Sequence, residues 1–65
     1  METFCERLRE VRLERKLTQK EVAAVLGVSL TCYAGYEQGY REPDFKMLIK
    51  ICRFFGVSAD YLLGI

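Results

Sequence analysis

The side chains of this sequence best suited to polar recognition cluster between Thr18 and Arg41. Gln19, Ser29, Thr31, Gln38 and Tyr40 offer hydroxyls and amides, and Arg41 adds one cation. Such groups hydrogen-bond phosphate oxygens and base edges well, and make or break covalent bonds poorly. The groups that catalysis would need are missing. The 65 residues contain no histidine, which removes the commonest general base and the commonest metal ligand. The three cysteines, Cys5, Cys32 and Cys52, show no C-x-x-C spacing and are odd in number. That pattern supports neither a zinc site nor a disulfide framework, and reduced thiols in a cytoplasmic protein are the expectation. No phosphate-binding glycine loop and no nucleophile–base pair is present, so no enzyme, no cofactor, no metal and no small-molecule ligand is expected.

Charge is informative by its distribution. The net value is only +1. Residues 1–20 hold six cations (Arg7, Arg9, Arg12, Arg15, Lys16 and Lys20) against four acids. Residues 21–40 hold none, and Arg41, Lys46, Lys50 and Arg53 follow. A phosphate-binding surface would therefore draw its cations from the flanks of the polar cluster.

The elements that must position the cluster are helices. A chain of this length makes one domain, expected over residues 1–65, and buries only about 60% of its unfolded surface. The apolar runs are too short to span a bilayer, and the charged start, METFCERLRE, has no apolar signal-peptide core. Capping signals and a 3.6-residue apolar period predict five helices, and no segment alternates as a strand does. The first is expected from Phe4 to Arg15, with Thr3 as cap and Glu6 completing a capping box. The second, Gln19 to Leu26, has a capping box in Thr18 and Glu21, a hydrophobic staple in Leu17 and Val22, and Gly27 as its stop. Ser29 opens the third, which runs to Gln38 and places Tyr33 and Tyr36 on a core face. Asp44 caps the fourth, whose Phe45, Leu48, Ile51, Cys52 and Phe55 are expected to form one buried stripe. Ser58 caps a final turn containing Leu62 and Leu63.

Helices two and three are joined by Gly27 and Val28 plus the Ser29 cap. So short a turn with glycine inside it is a helix-turn-helix arrangement, the motif running from Thr18 to about Gln38. In that geometry the second helix presents its N-terminal turns to the major groove of DNA. Leu30, Thr31, Ala34, Gly35 and Gln38 are then the expected exposed positions. Gln19 can meet a phosphate by its side chain or by the helix N-terminus.

The run TQKEVAAVLGVSLTCYAGYEQGYREP, followed by FFGVSADYLLG, resembles the phage Cro/repressor-type helix-turn-helix family, often called XRE-like. The likeness extends from about Phe4 to Gly64. It implies an all-α, compact five-helix domain of the lambda-repressor-like DNA-binding type. It further implies a transcriptional regulator, expected to repress, that binds double-stranded DNA as a homodimer at a near-palindromic site. By the same resemblance Arg12 and Glu37 form a structural ion pair, and Leu30, Thr31 and Gly35 stand at base-reading positions. This sequence departs from the family there. Leucine offers only apolar contact and glycine reads nothing, so Thr31 alone of the three can hydrogen-bond a base. Base readout is expected to be sparse, with backbone contacts from Gln19, Gln38, Tyr40 and Arg41 supplying most of the affinity. The apolar character of helix three keeps a second reading open: a protein-interaction module on the same fold, as an antitoxin or the N-terminal domain of a larger regulator. Leu62, Leu63 and Ile65 are the candidate dimer surface.

Overall fold

In the computed structural model, residues 2–65 are described. Four of the five helices begin at a residue whose side-chain oxygen accepts a backbone N–H that the helix itself leaves unpaired. Thr18 Oγ1 accepts from Glu21 N at 3.0 Å, and Ser29 Oγ from Cys32 N at 3.0 Å. Asp44 Oδ1 accepts from Met47 N at 2.8 Å, and Ser58 Oγ from Tyr61 N at 3.0 Å. The helices that follow are α2 (Gln19–Leu26), α3 (Leu30–Gln38), α4 (Phe45–Phe55) and α5 (Ala59–Leu63). Their bounds agree with the capping signals. The Thr18 box is reciprocal, because the Glu21 carboxylate accepts from Thr18 N at 2.8 Å.

Helix α1 (Glu2–Glu14) departs from expectation at both ends. Thr3 lies inside the helix, so its hydroxyl does not cap it. Its side chain instead meets the far end of the chain: a methyl group added at Gly64 would lie 2.8 Å from Thr3 Cγ2. Docking of α1 on α5 thus outweighs a local capping signal. At the other end, Lys16 takes a left-handed conformation with φ 57°. Lys16 N donates to Leu13 O at 2.9 Å and Leu17 N to Arg12 O at 3.2 Å, which closes the helix as a Schellman turn. The Lys16 Cβ crowds the backbone in that conformation. Lys16→Gly should therefore stabilise the fold by about 1 kcal/mol, read as a higher urea midpoint at unchanged slope.

The core is assembled from all five helices. Phe4, Leu8 and Val11 of α1 meet Val22, Ala23 and Leu26 of α2 and Tyr33 and Tyr36 of α3. Ile51 and Phe55 of α4 and Leu62 of α5 complete it. Two expectations are corrected here. Phe45 is not part of the buried stripe: it is the first residue of α4 and is 86% exposed, at the edge of an open pocket that Phe4, Leu48 and Leu63 also line. Leu62 is fully buried and cannot form a surface for a second copy, whereas Leu63 is half-buried and Ile65 exposed.

Several of the basic residues close helix ends or turns. Arg7 donates to Tyr61 O at the end of α5 and its guanidinium lies 4.8 Å from the Tyr61 ring centroid. Arg15 donates to Phe55 O at the end of α4, and Lys50 Nζ to Leu26 O at the end of α2 at 2.9 Å. Each cation sits where the helix dipole is negative and carbonyls lack partners. Arg15 and Lys50 are exposed all the same, as are Arg9, Lys16, Lys20, Arg41, Lys46 and Arg53.

Candidate nucleic-acid interface

The turn between α2 and α3 is closed by backbone bonds. Gly27, with φ 76°, takes the left-handed conformation that lets Val28 N reach Ala23 O at 3.0 Å. Ser29 then starts α3 at once. The face of α3 turned inward carries Tyr33 and Tyr36, whose rings meet edge-on with centroids 6.3 Å apart. That packing fixes the rotation of α3 and leaves Leu30, Thr31 and Gln38 on its outer side.

Glu37 fixes the position of α3 against its neighbours. Its carboxylate accepts four hydrogen bonds from three helices. Arg12 of α1 donates from Nε to Oε2 at 2.6 Å and from Nη2 to Oε1 at 3.1 Å. Tyr33 of α3 donates its hydroxyl to Oε2 at 2.5 Å, and Gln19 of α2 donates Nε2 to Oε1 at 3.1 Å. Arg12 also donates Nη1 to Leu17 O at 2.8 Å, anchoring the chain before α2. Burial pushes the Glu37 pKa up, but the hydrogen bonds from Arg12, Tyr33 and Gln19 outweigh it and the net shift is downward. The hydrogen bond to Glu37 likewise raises Arg12 against the opposing effect of burial. Burial and the Glu37 hydrogen bond raise Tyr33, so it stays a phenol. The Arg12–Glu37 pair expected from the resemblance is thus present. The Tyr33 and Gln19 bonds to it are additions: the i,i+4 spacing of Tyr33 and Glu37 on α3 could have signalled the first, and no local spacing signals the second.

The residues singled out for DNA contact fall into three groups. Leu30, Thr31, Gln38, Tyr40 and Arg41 are exposed, as is the Ser29 cap. Gln19 and Ala34 are half-buried, and the Gln19 amide is already engaged by Glu37. Gly35 is buried, contrary to expectation. The stem of Arg41 lies over it: a methyl group at Gly35 would stand 3.1 Å from Arg41 Cγ and 3.3 Å from Cδ. A glycine inside a helix with a long cation six residues on was the available signal, and it does not by itself reveal the contact.

What this surface offers is an apolar contact from Leu30, a hydroxyl from Thr31, an amide from Gln38 and a guanidinium from Arg41. Among the described residues there is no cluster of three or more metal-ligating side chains. No helix is long and apolar enough to cross a membrane. Cys5, Cys32 and Cys52 are free thiols, each half-buried.

A helix-turn-helix family model matches residues 8–62, which covers all of α2, α3 and α4, about half of α1 and most of α5. The chain belongs to this helix-turn-helix family. Among its relatives is YqaE of Bacillus subtilis, named an uncharacterized HTH-type transcriptional regulator. It is 48% identical over 60 residues, spanning 92% of this chain and 52% of the relative. The cryptic phage CTXphi transcriptional repressor RstR of Vibrio cholerae is 39% identical, over 94% of this chain and 55% of its own. MJ0272 of Methanocaldococcus jannaschii, another uncharacterized HTH-type transcriptional regulator, is 37% identical over 83% of this chain and 82% of its own. The chain spans about half the length of YqaE and RstR.

Proposed function

We propose that this chain is a sequence-specific DNA-binding transcriptional regulator, expected to repress, that works in the cytoplasm without catalysis. It binds double-stranded DNA as a homodimer, its two α3 helices about 34 Å apart on a near-palindromic site. The observation that carries this reading is the outer face of α3. Leu30, Thr31 and Gln38 are exposed on a helix whose opposite face is locked by Tyr33, Tyr36 and Glu37. A helix held that firmly can present base-reading groups without losing much conformational entropy on binding. Thr31 reads a base edge and Leu30 packs on a thymine methyl. Gln38 and Tyr40 contact the backbone, and Gln19 does so with whatever Glu37 leaves free. The relatives named as regulators support the reading.

Footprinting on the DNA flanking its own gene tests it. A protected site is expected at low salt, with log affinity falling by roughly 0.9 per phosphate contact for each tenfold rise in salt. No protection at low salt would remove the proposal. A second reading, docking of a partner protein on α3, draws on the exposure of Leu30 (48%) and Tyr40 (83%). Leu30→Asp separates the two. Under the DNA reading it should weaken binding at least tenfold, since it places a carboxylate against the groove. Unchanged DNA binding with a lost protein complex would favour the second reading.

A further inference from the structure

We infer that Arg41 is a base-reading residue, delivered to the reading face of α3 by the missing side chain at Gly35, and that it selects a guanine. The inference rests on the DNA-binding reading and adds a specificity determinant to it.

Gly35 lies one helical turn beyond Thr31, on the same side of α3. The space a side chain would fill there is taken by Arg41, whose Cβ, Cγ and Cδ all come within 3.4 Å of where a Gly35 Cβ would be. The loop is built to hold it. Gly39, Tyr40 and Arg41 all donate their backbone N–H to Gly35 O, at 2.9, 3.0 and 3.2 Å. Three amides converging on one carbonyl fold the chain back on α3 and set the Arg41 Cα beside Gly35. The stem is therefore packed, while the residue as a whole stays exposed at its charged end.

The packed stem starts the guanidinium from the Gly35 side of α3, one turn from Thr31. Among the described residues Arg12–Glu37 is the one salt bridge, so neither Glu42 nor Asp44 captures the Arg41 guanidinium. A planar fork of donors with a packed stem is suited to bidentate bonding with guanine O6 and N7. Lysine can also donate to guanine O6 and N7, but as a point charge on a flexible stem it holds that geometry less firmly.

Selection of bound sequences from a random duplex pool tests this with the wild type, Arg41→Ala and Arg41→Lys. The wild type should enrich a site with a guanine in each half. Arg41→Ala should keep the rest of the site and lose roughly 5- to 150-fold of discrimination at that guanine. Arg41→Lys should keep the salt slope and lose a smaller part of that discrimination. Gly35→Ala, with folding checked by circular dichroism and urea unfolding, should also relax the guanine position, and should add nothing in an Arg41→Ala background. Guanine preference retained in Arg41→Ala would overturn the inference, as would an equal loss across all sequences in that variant, which marks a phosphate contact. Preference retained in a folded Gly35→Ala would overturn the role of Gly35. Failure of the wild type to enrich any sequence would instead remove the DNA-binding reading on which the inference stands.

Discussion

Glu37→Ala should cost about 3–5 kcal/mol of folding free energy. For a small domain, where total stability is about 5–15 kcal/mol, this is a large share. The loss has an identifiable origin. The carboxylate is the shared acceptor for Arg12, Tyr33 and Gln19, and both Arg12 and Glu37 are only 8% exposed. Removing it leaves a guanidinium and a phenol buried without their acceptor. Replacing both members, as in Arg12→Met with Glu37→Leu, should recover much of the loss, because no charge is then left unpaired. Urea unfolding of the two singles and the double gives the coupling. If Glu37→Ala lowered stability by less than 1 kcal/mol, the pair would be ornamental to the fold.

The same group sets an acid limit. The folded-state pKa of Glu37 lies below its ordinary 4.5. Its charged form is therefore bound more tightly in the folded state. The stabilisation is fully present above about pH 4.5 and is lost as pH falls through the depressed folded value. Glu21 titrates in the same sense, held down by the backbone N–H and hydroxyl of Thr18. Stability of the wild type should fall as pH drops below about 4.5, and Glu37→Ala should flatten that fall.

Phe55→Ala should cost a further large amount, about 3–5 kcal/mol. Its ring is fully buried and meets Phe54 edge-on with centroids 4.9 Å apart. It belongs to the core cluster to which all five helices contribute, so truncation leaves a cavity there. Phe45→Ala on the same helix should change stability by no more than about 0.5 kcal/mol, since that ring is 86% exposed. Urea midpoints measured side by side decide the matter. Comparable losses in the two variants would contradict the packing described for α4.

That contrast shows where reading from sequence ends. The starts of α2, α3, α4 and α5 were legible because a cap is a local bond: Thr18, Ser29, Asp44 and Ser58 each accept from a backbone N–H three residues on. The short Gly27–Val28 turn was legible for the same reason, and with it the helix-turn-helix and the outward placing of Leu30, Thr31 and Gln38. The Arg12–Glu37 pair came from the family resemblance, and geometry bears it out.

What only the tertiary structure decided depends on groups far apart in the chain. Phe45 and Phe55 share a stripe by period, but period does not fix burial: the fold covers Phe55 fully and leaves Phe45 86% exposed. Thr3 satisfies a capping pattern, yet α1 begins before it and its methyl packs on Gly64. Leu62 resembles a free apolar end and is core. Arg7, Arg15 and Lys50 look like phosphate binders, and they close helices 54, 40 and 24 residues away. At Gly35 the sequence shows an empty reading position. The fold brings Arg41 across it, because three amides of the following loop converge on the Gly35 carbonyl.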